Sequence, residues 1–512
     1  MFSYHEHAIS DPAMQTLVLV VEALLFAYFL GCNAFYLWTA VVALGKLPGF
    51  IKRHLVQPAR ATYSRFERPV TVVVPAFNES EHVVTTVRSL LAFAYPAYEV
   101  VVVNDGSTDD TLALLSAAFA LEPSSEPYRV AIPTAAIRGI YRSATHPNVR
   151  VVDKVNGGKG DALNAGINCA SYPLVLCVDG DSFYVPDTLA CMVEPFLEDP
   201  RTVVTAATIG VANGCEFKDG ILQRVRLSSN ALVRFQVLEY LRAFLSSRVG
   251  WAPFNALNTV SGACGMYRKD VLIEAGGFRT DTIWEDMEMT IRVHHLMRRT
   301  KRPYRVAFTP FPVCWTMVPD TWSALWKQRV GWHRHLSEVL FIHRRLLFRH
   351  GSGVIGWAAV PYLFAFEWFA PLAIVLGIGF GSVGLAYGFL SIWSQVVLLL
   401  LVLGLAVVQS VGAIILDELS FDTYRSGEVR KLLLSTVFEN FGFRQFVTLA
   451  NLGGIVRWAF WRQAQGRRLI GPGVAPYDPE HVRNWRASAK VVSGTARIHR
   501  SSDELEGGAG LP

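Results

Sequence analysis

"LVLCVDGDSF", Leu174 to Phe183, begins as five apolar residues and ends in two carboxylates, Asp179 and Asp181, one glycine apart. A short apolar run closed by turn-forming residues reads as a strand buried on both faces. The same form recurs upstream in "VTVVVPAF" (70–77), "YEVVVVNDGS" (98–107) and "VRVVD" (149–153), with helical patterns between them. This alternation predicts a mostly parallel α/β sheet within a domain covering 69–349, with the Pro-, Ser- and Arg-rich stretch Glu122 to Asn148 as a loop insertion. Ligands of such sheets bind beyond the carboxyl ends of the strands. Three ends here carry polar turns: "PAFNES" (75–80), "NDGSTDDT" (104–111) and "DGDS" (179–182). Each alone is ordinary turn and helix-cap chemistry. Together they crowd Asp105, Asp179 and Asp181 onto one edge, where they repel unless a cation or a hydrogen-bonding ligand neutralises them. The one-residue spacing lets one of the two meet a ligand's hydroxyls while the other reaches a hard divalent ion. Mg2+ or Mn2+, held by one or two carboxylates plus phosphate oxygens, is the usual arrangement for nucleotide diphosphates.

Outside that domain the chain changes character. Apolar residues make up 51% of the 512 and charged residues 18%, and the apolar excess sits in long runs. The first extends from about Leu17 to Leu44, too long for the core of a secretory signal, and predicts an N-terminal transmembrane helix within 1–45. Glu6 and Asp11 precede it, whereas Lys46, Lys52, Arg53, Arg60, Arg65 and Arg68 follow in a basic linker over 46–68. The positive-inside rule then puts the N-terminus outside and the 69–349 domain in the cytoplasm of a multi-pass protein of the plasma or inner membrane. A transmembrane hairpin is expected over 350–418, as Val354 to Ile378 and Leu385 to Leu416 with a break at Gly379 to Gly384. Residues 419–470 read as a cytoplasmic loop followed by membrane or interfacial helices, since Glu439 and Arg444 interrupt the last apolar run. The Gly-rich end, 471–512, reads as a disordered tail. The net charge of +6 flanks apolar runs instead of forming a basic stripe interleaved with aromatics, so nucleic acid is excluded as a partner. The seven cysteines are isolated, with no CxxC pair, and imply neither a disulfide framework nor a zinc knuckle.

"PAFNES", "VVNDGSTDDT", "NGGKGDALNAGI", "VDGDS", "SGACGMYRKDVLIEAGGF", "WEDMEM" and "QRVGW" follow one another in the order seen in membrane-embedded family 2 glycosyltransferases. Over about residues 15–460 the chain resembles the bacterial poly-N-acetylglucosamine synthases most closely, and cellulose, hyaluronan and chitin synthases more distantly. The resemblance implies a Rossmann-like GT-A domain inserted between transmembrane helices, using a UDP-sugar donor with inversion at the anomeric carbon. It implies that Asp105 binds the uridine portion, that Asp179, Lys159 and Glu79 lie on the donor side, and that Asp181 ligates the metal. Read locally, "NGGKG" is a flexible turn before a helix, with no Ser or Thr after the lysine as in a phosphate loop. Glu285 and Asp286 in "TIWEDMEM" read locally as helix-start decoration. The resemblance makes Asp286 the general base that deprotonates the acceptor hydroxyl.

Two departures stand out. Trp284 occupies the threonine position of the family's Thr-Glu-Asp triplet, and Gly331 occupies the arginine position of its Gln-x-x-Arg-Trp pattern, in which Gln328 and Trp332 are kept. Trp332 is implied to stack on the acceptor sugar, with an interfacial anchor as the alternative. The cation for the diphosphate is expected from Arg329, His333 or Arg334, the nearest in sequence. "FENFGFRQ" (438–445) resembles a segment near the last membrane region of the same synthases, which suggests a glycan exit path. The leading expectation is extension of a β-linked polysaccharide from UDP-N-acetylglucosamine or UDP-glucose, coupled to its secretion, with a growing glycan or glycolipid as acceptor, the bilayer as a partner and room for accessory subunits. Transfer of one or a few sugars to a lipid is the alternative within enzymes, and an inactive membrane scaffold the alternative outside them.

Overall fold

The computed structural model describes residues 12–56, 68–466 and 491–492. Glu6, Asp11, Arg60, Arg65 and nearly all of the 471–512 tail lie outside the described residues, as does the 57–67 part of the basic linker.

Ten strands of the described chain form one mixed sheet: β1 (Val70–Ala76), β2 (Tyr98–Asn104), β3 (Leu121–Pro123), β4 (Ile137–Ser143), β5 (Val149–Lys154), β6 (Leu174–Val178), β7 (Phe183–Tyr184), β8 (Thr202–Val211), β9 (Cys264–Arg268) and β10 (Arg305–Thr316). Their order is β3-β4-β5-β2-β1-β6-β9-β8-β10-β7. The central four, β5-β2-β1-β6, are parallel, and every residue of β1 and β6 is buried. Continuous valine-rich runs are what a sheet covered by helices on both faces requires. Around β9 the pairing turns antiparallel, and beyond it β8 and β10 are parallel again, so the sheet is parallel at its centre and mixed on its flanks. Parallel register sets Ala76 opposite Asn104 and Asn104 opposite Asp153. The polar turns therefore leave the sheet along one edge, and the fold is the GT-A-like α/β fold that the resemblance implies.

The 122–148 stretch is a correction. In place of a loop it contains β4, a seven-residue strand antiparallel to β5. The two arginines of β4 are exposed among buried and half-buried neighbours, and β3 pairs with its outer side over residues 141–143.

The helices that matter for the site are α1 (Pro12–Val56), α2 (Lys159–Cys169), α3 (Ala231–Leu241, prolonged by a π-helical stretch Arg242–Arg248), α4 (Asp286–Arg299), α5 (Trp322–Ile342), α6 (Ala370–Ala386), α7 (Ile392–Ser420), α8 (Ser426–Phe438) and α9 (Phe443–Gly466). By length and composition two helices, α1 over Pro12–Lys52 and α7, are apolar enough to cross a membrane; the bent pair Ile355–Trp368 and α6, at 43°, would make a third span. At about 1.5 Å per residue, α1 is far longer than the ~30 Å hydrocarbon core, so its end runs on to the catalytic domain. There Phe35 and Trp38 pack against Trp251 and Phe254. The break expected at Gly379 to Gly384 lies inside α6; the chain bends at Phe369 and turns between α6 and α7 instead. Glycine breaks an exposed helix weakly, and in this apolar setting the helix persists through three of them.

From Leu432 to Trp461 the chain forms α8 and α9 with a turn between them, and α9 packs along α5. At that turn Glu439 Oε1 accepts from Arg242, Arg444 and Ser410, each at 2.7 Å. The charges expected to need a partner meet each other, and they tie α7 and α9 to the helix that leaves the sheet domain.

Candidate active site

The turn after β6 is held from both sides. Thr86 donates to the Gly180 carbonyl (2.7 Å), and the Tyr184 hydroxyl accepts from the Asp179 backbone N–H (3.2 Å) while donating to the Ala263 carbonyl (2.7 Å). The Asp179 carboxylate takes the Lys159 ammonium at 2.7 Å, and the same ammonium reaches Glu285 at 2.8 Å. One lysine at the start of α2 thus joins "GGKGDALN", "VDGDS" and "WEDMEM". The "SGACG" turn closes the group: the Gly262 N–H donates to Asp286 Oδ2 (3.2 Å). A Cβ at Gly262 would lie 3.0 Å from Lys159 Nζ and 3.3 Å from Glu285 Oε1, so a side chain there would crowd the bridge.

Glu79 and Asp181 form the acidic rim. Burial and the charge of Asp179 raise the Asp181 carboxyl above the usual range. Burial and then Asp181 do the same to Glu79. Lys159 is taken by Asp179 and Glu285, and neither Asp181 nor Glu79 has an ion pair with Lys or Arg among the described residues. Hard oxygen donors in excess of cations fit Mg2+ or Mn2+ chemically. No group of three or more His, Cys, Asp or Glu among the described residues is arranged to hold an ion alone. A divalent ion here therefore needs ligand oxygens, as a diphosphate supplies.

Asp105 sits elsewhere than on the open edge. It is 2% exposed, pairs with the fully buried Lys154, and accepts from the backbone N–H groups of Gly157 (3.0 Å) and Gly158 (2.8 Å). Lys154 bridges on to Asp161 at 2.6 Å. Asp105 therefore fixes the Gly-Gly turn that delivers Lys159, and its oxygens already have three protein donors.

Asp286 opens α4. Burial alone would raise its carboxyl; His335 first, then Lys159, outweigh that and bring it to about 2. Glu285, more deeply buried, is raised despite Lys159. A carboxylate ionised throughout the neutral range thus stands beside one clamped by lysine.

The two departures prove to be one structural fact. A Cβ built on Gly331 would lie 2.4 Å from Cη2 of Trp284. The indole fills the space that a side chain at 331 would need, so Trp284 excludes an arginine there. The neighbours expected to substitute are engaged. Arg329, 6% exposed, pairs with Glu239 at 2.5 Å and lies 4.3 Å over the Trp332 ring. Arg334 pairs with Glu338 at 3.2 Å. His333 is driven by burial down to about 4, hence neutral at pH 7. Sequence reasoning missed Arg248, whose guanidinium lies 3.9 Å from the centre of the Phe244 ring, has a buried Nη1 with no hydrogen-bond partner, and is within electrostatic reach of Asp286. Nothing local in "LSSRVG" marks it. Trp332 is 39% exposed with one face covered by Arg329, and Gln328 Oε1 is buried without a partner.

A family model described as "Glycosyl transferase family 2" matches residues 71–276, and one described as "Glycosyl transferase family group 2" matches 174–410. The poly-beta-1,6-N-acetyl-D-glucosamine synthases of Staphylococcus aureus (strain COL) and Staphylococcus epidermidis are each 30% identical over 272 residues, 53% of this chain and 55% of theirs. The chain thus matches about half the length of these curated relatives. Among solved structures, the mannosyltransferase PcManGT from Pyrobaculum calidifontis, in complex with GDP-Man and Mn2+, aligns over 83% of this chain and 99% of its own at 18% identity and a TM-score of 0.48. With two overlapping family models reaching from residue 71 to 410 and their motifs gathered around one lysine bridge, the chain belongs to glycosyltransferase family 2.

Proposed function

We propose that the protein is a membrane hexosyltransferase that uses a UDP-sugar, UDP-N-acetylglucosamine or UDP-glucose, to extend a β-linked polysaccharide with inversion. The observation that supports this reading is the Lys159 bridge, whose ammonium pairs with both Asp179 and Glu285, the residue before Asp286. The donor diphosphate lies against Asp179, Glu79, Asp181, Lys159 and Arg248, with Asp105 acting through the turn it holds. Trp332 receives the acceptor sugar, beside Gln328 and Arg329. The acceptor hydroxyl gives its proton to Asp286 and its oxygen bonds to the anomeric carbon. The bond from that carbon to the β-phosphate oxygen breaks on the opposite face, and the electron pair leaves on UDP. A divalent ion bound at Asp181 neutralises charge on that diphosphate.

Three crossings, α1, the bent Ile355–Ala386 pair and α7, with the N-terminus outside, keep the sheet domain in the cytoplasm beside the bundle. That position suits passage of product into a polar path near Glu439 and Arg444, alone or with accessory subunits. Gly331, with no guanidinium on its helix face, favours a second reading in which only one or a few sugars reach a lipid. The test offers UDP-N-acetylglucosamine and UDP-glucose in parallel to the purified full chain, with Mg2+ or Mn2+, and follows UDP release and product mass with glycosidase digestion. Release by wild type and loss in Asp286→Asn supports transfer; equal silence of both on every donor favours a scaffold. Product length separates the two enzymatic readings.

A further inference from the structure

Trp284 does more than fill a space. Its indole meets the His335 ring edge-on, with centroids 5.8 Å apart and planes at 84°. His335 is 4% exposed, and neither ring nitrogen has a hydrogen-bond partner. A buried imidazole with both nitrogens unpaired is a costly arrangement that ordinary packing avoids. Among the described residues its charge partner is Asp286, with Nε2 3.6 Å from Oδ1. That separation exceeds a hydrogen bond and is of the kind that tightens when substrate arrives.

We propose that His335, seated by Trp284, is a positioning residue for the carboxylate of Asp286: its Nε2–H turns Oδ1 in place while the acceptor hydroxyl is deprotonated. The proposal rests on the reading of Asp286 as base. Asp286 is otherwise held by N–H groups, Oδ1 by Met287 at 2.7 Å and Oδ2 by Gly262 at 3.2 Å. Those two hydrogen bonds come from the backbone at the start of its own helix and from the turn before β9. His335 adds a side-chain contact from α5, the helix that also carries Trp332. One helix thereby carries both the contact to Asp286 and the stacking residue for the acceptor, since His335 and Trp332 are three residues apart. The ionisable groups around Asp286 are Glu285 beside it, Lys159 from α2, Arg248 from the stretch after α3, Tyr267 from β9 and His335 from α5.

The full-length protein in detergent tests this with two variants, His335→Phe, which keeps the volume, and His335→Gln, which keeps an N–H donor. UDP release is measured against donor concentration and across pH. In His335→Phe, kcat should fall on the order of 10- to 100-fold, as for partners that orient a functional group, with donor KM within about twofold. Its acid limb should move upward, because burial of Asp286 is then less opposed. His335→Gln should recover most of kcat. A His335→Phe enzyme with wild-type kcat and an unmoved acid limb overturns the proposal. So does equal loss in both variants with donor KM rising in step, which marks a structural role. Absence of UDP release from the wild type would instead sink the reading of Asp286 as base.

Discussion

Trp284 and Gly331 should behave as a coupled pair. Gly331 lies inside α5, where replacing glycine by alanine ordinarily gains about 0.5–1 kcal/mol through the backbone. Here the new Cβ would meet Trp284 at 2.4, 3.2 and 3.3 Å, so the ring or the helix must yield by roughly 1 Å to restore ordinary contact. Overpacking of that kind costs about 1–3 kcal/mol, which cancels or exceeds the helix gain. Gly331→Ala should therefore be neutral to destabilising, by up to about 2 kcal/mol, in the natural background. In Trp284→Ala the obstruction is gone, and the same substitution should stabilise by about 0.5–1 kcal/mol. The difference, a coupling of about 1–3 kcal/mol, is read from a double-mutant cycle. Thermal midpoints of the four proteins are taken in one detergent at one scan rate, because unfolding of a membrane protein is rarely reversible. If Gly331→Ala raises the midpoint equally in both backgrounds, the indole does not occupy that space and the account of the two departures fails.

Three other outcomes follow from the site. Lys159→Met leaves Asp179 and Glu285 facing one another without their cation, so donor KM should rise at least about tenfold, with Lys159→Arg recovering part of it; calorimetric titration with UDP measures this. A chelator should stop UDP release and Mn2+ or Mg2+ restore it, and Asp181→Asn should need on the order of tenfold more metal for half-activity. Glu288 is fully buried; burial would raise its carboxyl, but Arg292 at 2.8 Å and His343 at 3.0 Å bring it from 4.5 to about 2. A depressed carboxyl stabilises the fold above its unfolded value and loses that contribution as pH falls through the folded one. Unfolding midpoints should therefore drop between about pH 4.5 and 2, and Glu288→Gln should cost about 3 kcal/mol at neutral pH and flatten that drop.

The centre of the fold was legible because its cause is local. A strand covered on both faces needs an unbroken apolar run, and "VTVVVPA", "YEVVVVN" and "LVLCV" supply one each. β4 was not legible in the same way. Its arginines and glycine interrupt the apolar run, and among Pro and Ser neighbours it resembles a loop. The broken membrane segment failed for a related reason: three glycines in six residues look like an interruption, yet they sit within α6, and the bend falls at Phe369.

For the site, sequence reasoning named most of the carboxylates and could not assign their partners, because ion pairs are settled by tertiary packing. Asp105, Asp179 and Asp181 looked like three equivalent charges on one edge. Lys154 takes the first inward, Lys159 takes the second, and the third has a hydroxyl contact from Ser182 at 3.4 Å but no ion pair with Lys or Arg among the described residues. That inequality gives the edge its chemistry: one acid organises the turn, one is neutralised within the protein, and one retains an unmet demand for positive charge. The departures at 284 and 331 carried a usable signal, since a bulky residue gained and a side chain lost at two motif positions can compensate in volume. Forty-seven residues of chain separate them, and a contact across α4 and α5 is what makes the indole the reason for the glycine. The same indole packs against His335, so the residue that fills the space at 331 also borders the imidazole facing Asp286.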